Sequence, residues 1–80
     1  MSYELTLDRL AEEMDYGLVT RWLKREGETV ERGEVIVEIE AEKASHEIES
    51  PVSGVVESIL AAEGDEVRVG AVLAVIADET

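Results

Sequence analysis

Apolar and polar residues alternate along most of this chain. Over residues 35–42, Val35, Val37, Ile39 and Ala41 are expected on one face and Glu38, Glu40 and Glu42 on the other. That is the period-two signature of a half-buried strand. The same reading places strands at 3–7, 17–24, 44–50, 53–60 and 72–77, with brief strands near 29–31 and 66–69. Residues 8–16 have the length of a helical turn but are polar and short, and are read as a loop. Pro51 falls between two strands and marks a bend. The glycines fall at element starts or turns, where a side chain is least tolerated. No stretch outside 8–16 carries the 3.6-residue period of a helix.

The halves of the chain repeat each other at an offset of 37 residues. Gly17 aligns with Gly54, Val19 with Val56, Leu23 with Leu60, and Glu26-Gly27 with Glu63-Gly64. The register continues without a gap through Val30 and Val67, Gly33 and Gly70, Val35 and Val72, Ile39 and Ile76. Two copies are too few for a solenoid, so they are expected to close on each other about a pseudo-twofold axis. Short antiparallel strands in one small domain spanning residues 1–80 predict an all-β flattened barrel or sandwich of two sheets.

Composition narrows how such a body is held together. There is no cysteine, so neither a disulfide nor a thiolate metal site staples it, and the single histidine, His46, cannot build a metal centre alone. The core must come from Val, Ile, Leu and Ala, with one Trp (Trp22), two Tyr (Tyr3 and Tyr16) and no Phe. Asp plus Glu number 20 against 7 Lys plus Arg, a formal net charge of −13. Such a surface repels nucleic-acid phosphates and anionic membranes. No apolar run has the length of a membrane span, and the N-terminus lacks the regions of a signal peptide. The chain is therefore read as cytoplasmic.

Lysine is scarce: only Lys24 and Lys43 occur. Almost no loop separates the strand ending at Glu42 from the one beginning at Ala44, so Lys43 is expected at or beside the tip of a tight hairpin. The repeat carries Lys43 onto Thr80 in one direction and Thr6 in the other. The hairpin is then one pole of the body, and the termini meet at the other. A catalytic base or Schiff-base lysine needs burial or neighbouring positive charge. A tip surrounded by Glu38, Glu40, Glu42, Glu47 and Glu49 offers neither. Lys43 reads as the substrate of another enzyme and not as a catalyst.

The residues around this turn resemble a known family. Glu40-Ala41-Glu42-Lys43-Ala44, followed by Glu47-Ile48-Glu49-Ser50-Pro51-Val52-Ser53-Gly54, is similar to the modified hairpin of biotinyl/lipoyl attachment domains. Residues 16–23 and 26–30 look like that family's second strand and following turn, and Gly64-Asp65-Glu66-Val67 with Val69-Gly70 like the corresponding second-half turn. The resemblance spans residues 3–77. It implies a barrel-sandwich of two four-stranded antiparallel sheets and a covalent cofactor on Lys43, with Glu42 and Ala44 as the recognition turn. Glu42-Lys43-Ala44 is closer to the Asp-Lys-Ala of the lipoyl branch than to the methionine-flanked lysine of the biotinyl branch. The family's proline and glycine near positions 8 and 11 are Asp8 and Ala11 here.

That family implies carriage without catalysis, in a 2-oxo acid or acetoin dehydrogenase system. The lipoyl group would be attached by a lipoate ligase or lipoyl transferase. It would be loaded by a thiamine-dependent decarboxylase, unloaded by a dihydrolipoamide acyltransferase core and reoxidised by dihydrolipoamide dehydrogenase. The domain itself would be monomeric. A biotin carboxyl carrier and an unmodified barrel serving as an adaptor remain as alternatives. His46, facing the same side as Ile48, reads as a partly buried structural or surface histidine, and Trp22 as a core or edge aromatic. Glu38, Glu40, Glu47 and Glu49 read as a solvated face.

Overall fold

The computed structural model describes residues 2–9 and 14–78, and in it the alternation becomes eight strands. They are β1 (Ser2–Thr6), β2 (Tyr16–Trp22), β3 (Thr29–Val30), β4 (Val35–Ala41), β5 (Ala44–Glu49), β6 (Gly54–Ile59), β7 (Glu66–Arg68) and β8 (Val72–Asp78). One four-stranded sheet has the order β1-β8-β6-β3 and the other β5-β4-β2-β7, with every pairing antiparallel. No helix occurs among the described residues. Of the loop expected at 8–16, residues 10–13, including Ala11, lie outside the described set. Its far end returns to the interior, where Met14 is buried in the core.

The offset of 37 residues is a physical symmetry. Gly27 N–H donates to Val56 O at 2.8 Å and Gly64 N–H to Val19 O at 2.7 Å. Val56 N–H donates to Glu28 O and Val19 N–H to Asp65 O, both at 2.9 Å, so each half closes its turn on a strand of the other. Side chains reinforce the exchange. Glu26 Oε2 accepts from Ile59 N–H and Glu63 Oε2 from Trp22 N–H, each at 2.8 Å. The repeated Glu-Gly pair is thus a cross-half staple, the Gly turning the chain and the Glu reaching over to a backbone donor.

Paired positions also fill the core: Val19 with Val56, Ile36 with Leu73, Ile39 with Ile76, all essentially inaccessible. Trimming such a residue to Ala costs about 2–5 kcal/mol, a large part of a small domain's stability.

Strict alternation fails at one place in each half. Val35 was expected inward with Val37, yet Val35 is half-buried while Ile36 and Val37 are both buried. The β4–β5 register slips between Val35 and Val37, and this bulge turns Ile36 into the core. β8 repeats the pattern, with Leu73 and Ala74 both buried.

The expected poles follow from the pairing. Ser2 lies opposite Ala77, and Asp78 opposite Gly54, so the described ends of the chain are neighbours; Thr80 lies outside the described residues. Ser50, four residues before Gly54, is bonded through N–H to Glu34 O at the start of β4. Lys43 follows the other end of β4. Seven residues of strand, about 20 Å, separate the two, along a body 35 Å long and 20 Å wide.

Candidate functional site

Ala41 and Ala44 are directly opposed across the β4–β5 ladder, leaving Glu42 and Lys43 as a two-residue turn. Both have positive φ, 54° and 61°. Such a turn matches the right-handed twist of the flanking strands and is normally filled by Asn-Gly or Asp-Gly. Two side-chain-bearing residues here cost roughly 1–2 kcal/mol each. The ladder below holds the turn in place: Ala41, Ile39 and Val37 are buried, and five further registered pairs follow Ala41–Ala44. The chain bears this strain where glycine would relieve it, and glycine would leave no side chain at the tip.

The sequence singled out Glu42, Lys43 and Ala44, and the fold brings all three together, exposed, at this tip. Among the described residues the Lys43 ammonium has no hydrogen-bond or ion-pair partner. Lys24 is its opposite. It is half-buried, and its Nζ lies 3.0 Å from Glu34 Oε2. Glu34 also accepts from Glu31 N–H at 3.1 Å. That backbone donor first, and Lys24 second, hold the Glu34 carboxyl below its ordinary value of 4.5.

The outer face of this sheet is acidic. Glu40, Glu47 and Glu49 are exposed and Glu38 half-buried. Glu38 opposes Glu47 on one side and Arg21 on the other, so a cation sits beside the closest like-charge pair. His46 is half-buried opposite Ile39, with its Nε2 buried and unbonded. Trp22 is a half-buried edge aromatic whose Nε1–H donates to Ala61 O at 2.6 Å.

The sequence did not show that Tyr16, Leu18 and Glu66 lie beside the tip. On β2, Leu18 lies between Glu40 of β4 and Glu66 of β7, and Tyr16 opposes Arg68. Continuing the β2–β4 register by two residues sets Tyr16 level with Glu42. Tyr16 and Leu18 thus floor a trough of about 390 Å³ that opens at Lys43. Only cross-strand register reveals it. The one signal in the sequence was that Tyr16 has no aromatic counterpart in the repeat, where Ser53 precedes Gly54.

The family model described as Biotin-requiring enzyme matches residues 4–76. Over 75 residues the chain is 41% identical to the dihydrolipoyllysine-residue succinyltransferase component of the 2-oxoglutarate dehydrogenase complex of Staphylococcus saprophyticus, covering 94% of this chain and 18% of that protein. It is 44% identical over 82 residues to the acetyltransferase component of the pyruvate dehydrogenase complex of Corynebacterium glutamicum, covering all of this chain and 12% of the relative. The chain therefore spans under a fifth of the length of these two relatives. Among solved structures, the lipoyl domain of the Azotobacter vinelandii 2-oxoglutarate dehydrogenase complex superposes with a TM-score of 0.80 at 32% identity, covering 96% of this chain and 98% of that one.

Proposed function

The chain belongs to the biotinyl/lipoyl attachment family, and from that membership we propose that it is a lipoyl carrier domain of a 2-oxo acid dehydrogenase system, with Lys43 as the attachment site. The observation that carries the assignment is the turn itself: an exposed, unpartnered primary amine on a strained two-residue hairpin. A carboxyl-bearing cofactor fits that amine. The modifying enzyme activates the carboxyl, an amide forms at Nζ, and the amine gives up a proton with its charge. When bound, the group supplies a dithiolane that takes up and releases acyl groups and electrons. Everything else is positioning. The β4–β5 ladder fixes the direction in which the arm leaves. Glu42 and Ala44 flank the amine on a surface narrow enough to enter another protein's active site. The acidic face keeps the domain soluble at high local concentration.

The partners fitting this role are a lipoate ligase or lipoyl transferase, a thiamine-dependent decarboxylase, an acyltransferase core and dihydrolipoamide dehydrogenase, in the cytoplasm. Tethering would turn their encounters into near-intramolecular events. Intact-mass measurement of the chain after co-expression with lipoate ligase, and separately with biotin ligase, tests the reading. A lipoyl increment alone is expected. A biotin increment would instead make the chain a carboxyl carrier, and no increment with either enzyme would leave it an unmodified adaptor.

A further inference from the structure

The trough beside Lys43 has a shape the fold alone does not require. Leu18 and Tyr16 line it along β2, and Glu40 and Glu66 stand on the strands to either side of Leu18. Tyr16 is 46% exposed, with Tyr3 and Leu60 one of the exposed large apolar side chains among the described residues. It is nevertheless held. Arg68 Nε donates to its hydroxyl at 3.3 Å, and the guanidinium carbon lies 5.4 Å from the ring centroid. The ring is a partition: it also lines a second depression, with Arg9, Asp15, Arg68 and Val69. The guanidinium braces it from that side, and the trough opens at Lys43 on the other. The symmetric position in the other half is Ser53, so the barrel does not need an aromatic here.

We propose that this trough is a resting site for the arm on Lys43, in which the dithiolane sulfurs lie against the Tyr16 ring and the methylenes cover Leu18. The inference rests on Lys43 being lipoylated. Continuity identifies the occupant: the trough begins at the attachment residue, and an amide arm is more than long enough to cross the roughly 5 Å between neighbouring strands. The chemistry agrees. Sulfur packs favourably against aromatic rings about 5 Å away, and amide formation removes the one cationic group that would remain among Glu40, Glu42 and Glu66. Tethering supplies an effective concentration that lets a weak contact be populated. The contact is weak enough to release the arm to a partner, yet it keeps the disulfide covered between visits.

The test uses the chain lipoylated at Lys43, with loading verified by peptide mass. On loading, the Tyr16 ring protons and Leu18 methyls shift in NMR spectra. Dithiothreitol reduces the dithiolane about threefold more slowly in the wild type than in Tyr16→Ala, the factor expected of one sulfur–aromatic contact. Tyr16→Phe, which keeps the ring, retains the slow rate. These comparisons leave the net charge unchanged, so electrostatic effects on the reductant cancel. Unshifted Tyr16 and Leu18 signals, with equal reduction rates in all three loaded proteins, overturn the resting site and leave the carrier assignment standing. Absence of the lipoyl increment from Lys43 overturns both.

Discussion

Glu42 and Lys43 sit side by side in the left-handed region of backbone space, the only residues other than glycine to do so among those described. Relieving that strain should stabilise the fold. Glu42→Gly is expected to raise the unfolding free energy by about 1 kcal/mol in urea titration, less any entropy gained by the unfolded chain. Lys43→Gly should do the same while abolishing modification. A loss of stability in both would mean that the turn is not strained as described.

Gly17, second in β2, and Gly54, first in β6, occupy equivalent places in the repeat but different surroundings. A Cβ on Gly54 would run into the Ala77 carbonyl oxygen, with its carbon 2.9 Å away and Asp78 Cα 3.2 Å away, all main-chain atoms. A Cβ on Gly17 would meet side-chain atoms, Ile39 Cγ2 at 2.6 Å and the Leu7 and Met14 termini at 3.2 Å. Gly54→Ala should therefore cost about 3 kcal/mol or more, and Gly17→Ala less, since side chains can shift where main chain cannot. Thermal melts of the two variants rank them.

The staples across the halves should be worth similar amounts. Glu26→Ala removes the acceptor of Ile59 N–H, and Glu63→Ala that of Trp22 N–H. Each is expected to lose about 1 kcal/mol, the scale of an exposed charged hydrogen bond whose donor can turn to water. Denaturant midpoints of both variants check the symmetry.

Acid should act through Glu34. Its carboxyl titrates below the ordinary value of 4.5 in the folded chain. The native state therefore binds the proton less readily than the unfolded chain. The stability Glu34 contributes is complete above that ordinary value and is lost as pH falls through the lower, folded one. The advantage of wild type over Glu34→Gln should be present at neutral pH and vanish in strong acid. Urea midpoints of both proteins across that range decide it.

How much of this was legible beforehand depends on range. The 37-residue offset was visible because both halves spell the same turn, Glu26-Gly27 and Glu63-Gly64, and identical residues match along the chain whatever they touch. The hairpin at Lys43 was visible because two alternating runs met with no room for a loop. The burial of Ile36 was not, because the bulge that turns it inward is set by pairing with β5. Neither was the role of Glu26 and Glu63, whose partners lie 33 and 41 residues away. Tyr16 and Leu18 were missed as neighbours of Lys43 for the same reason. They are adjacent only once β2 lies beside β4.

Whether a single projecting amine receives the cofactor is read by peptide mapping of the lipoylated chain beside Lys43→Arg and Lys24→Arg. The lipoyl group is expected on Lys43 alone, with full loading of Lys24→Arg, none of Lys43→Arg, and both variants folded by circular dichroism. A folded Lys43→Arg chain that still acquires the group would contradict this expectation.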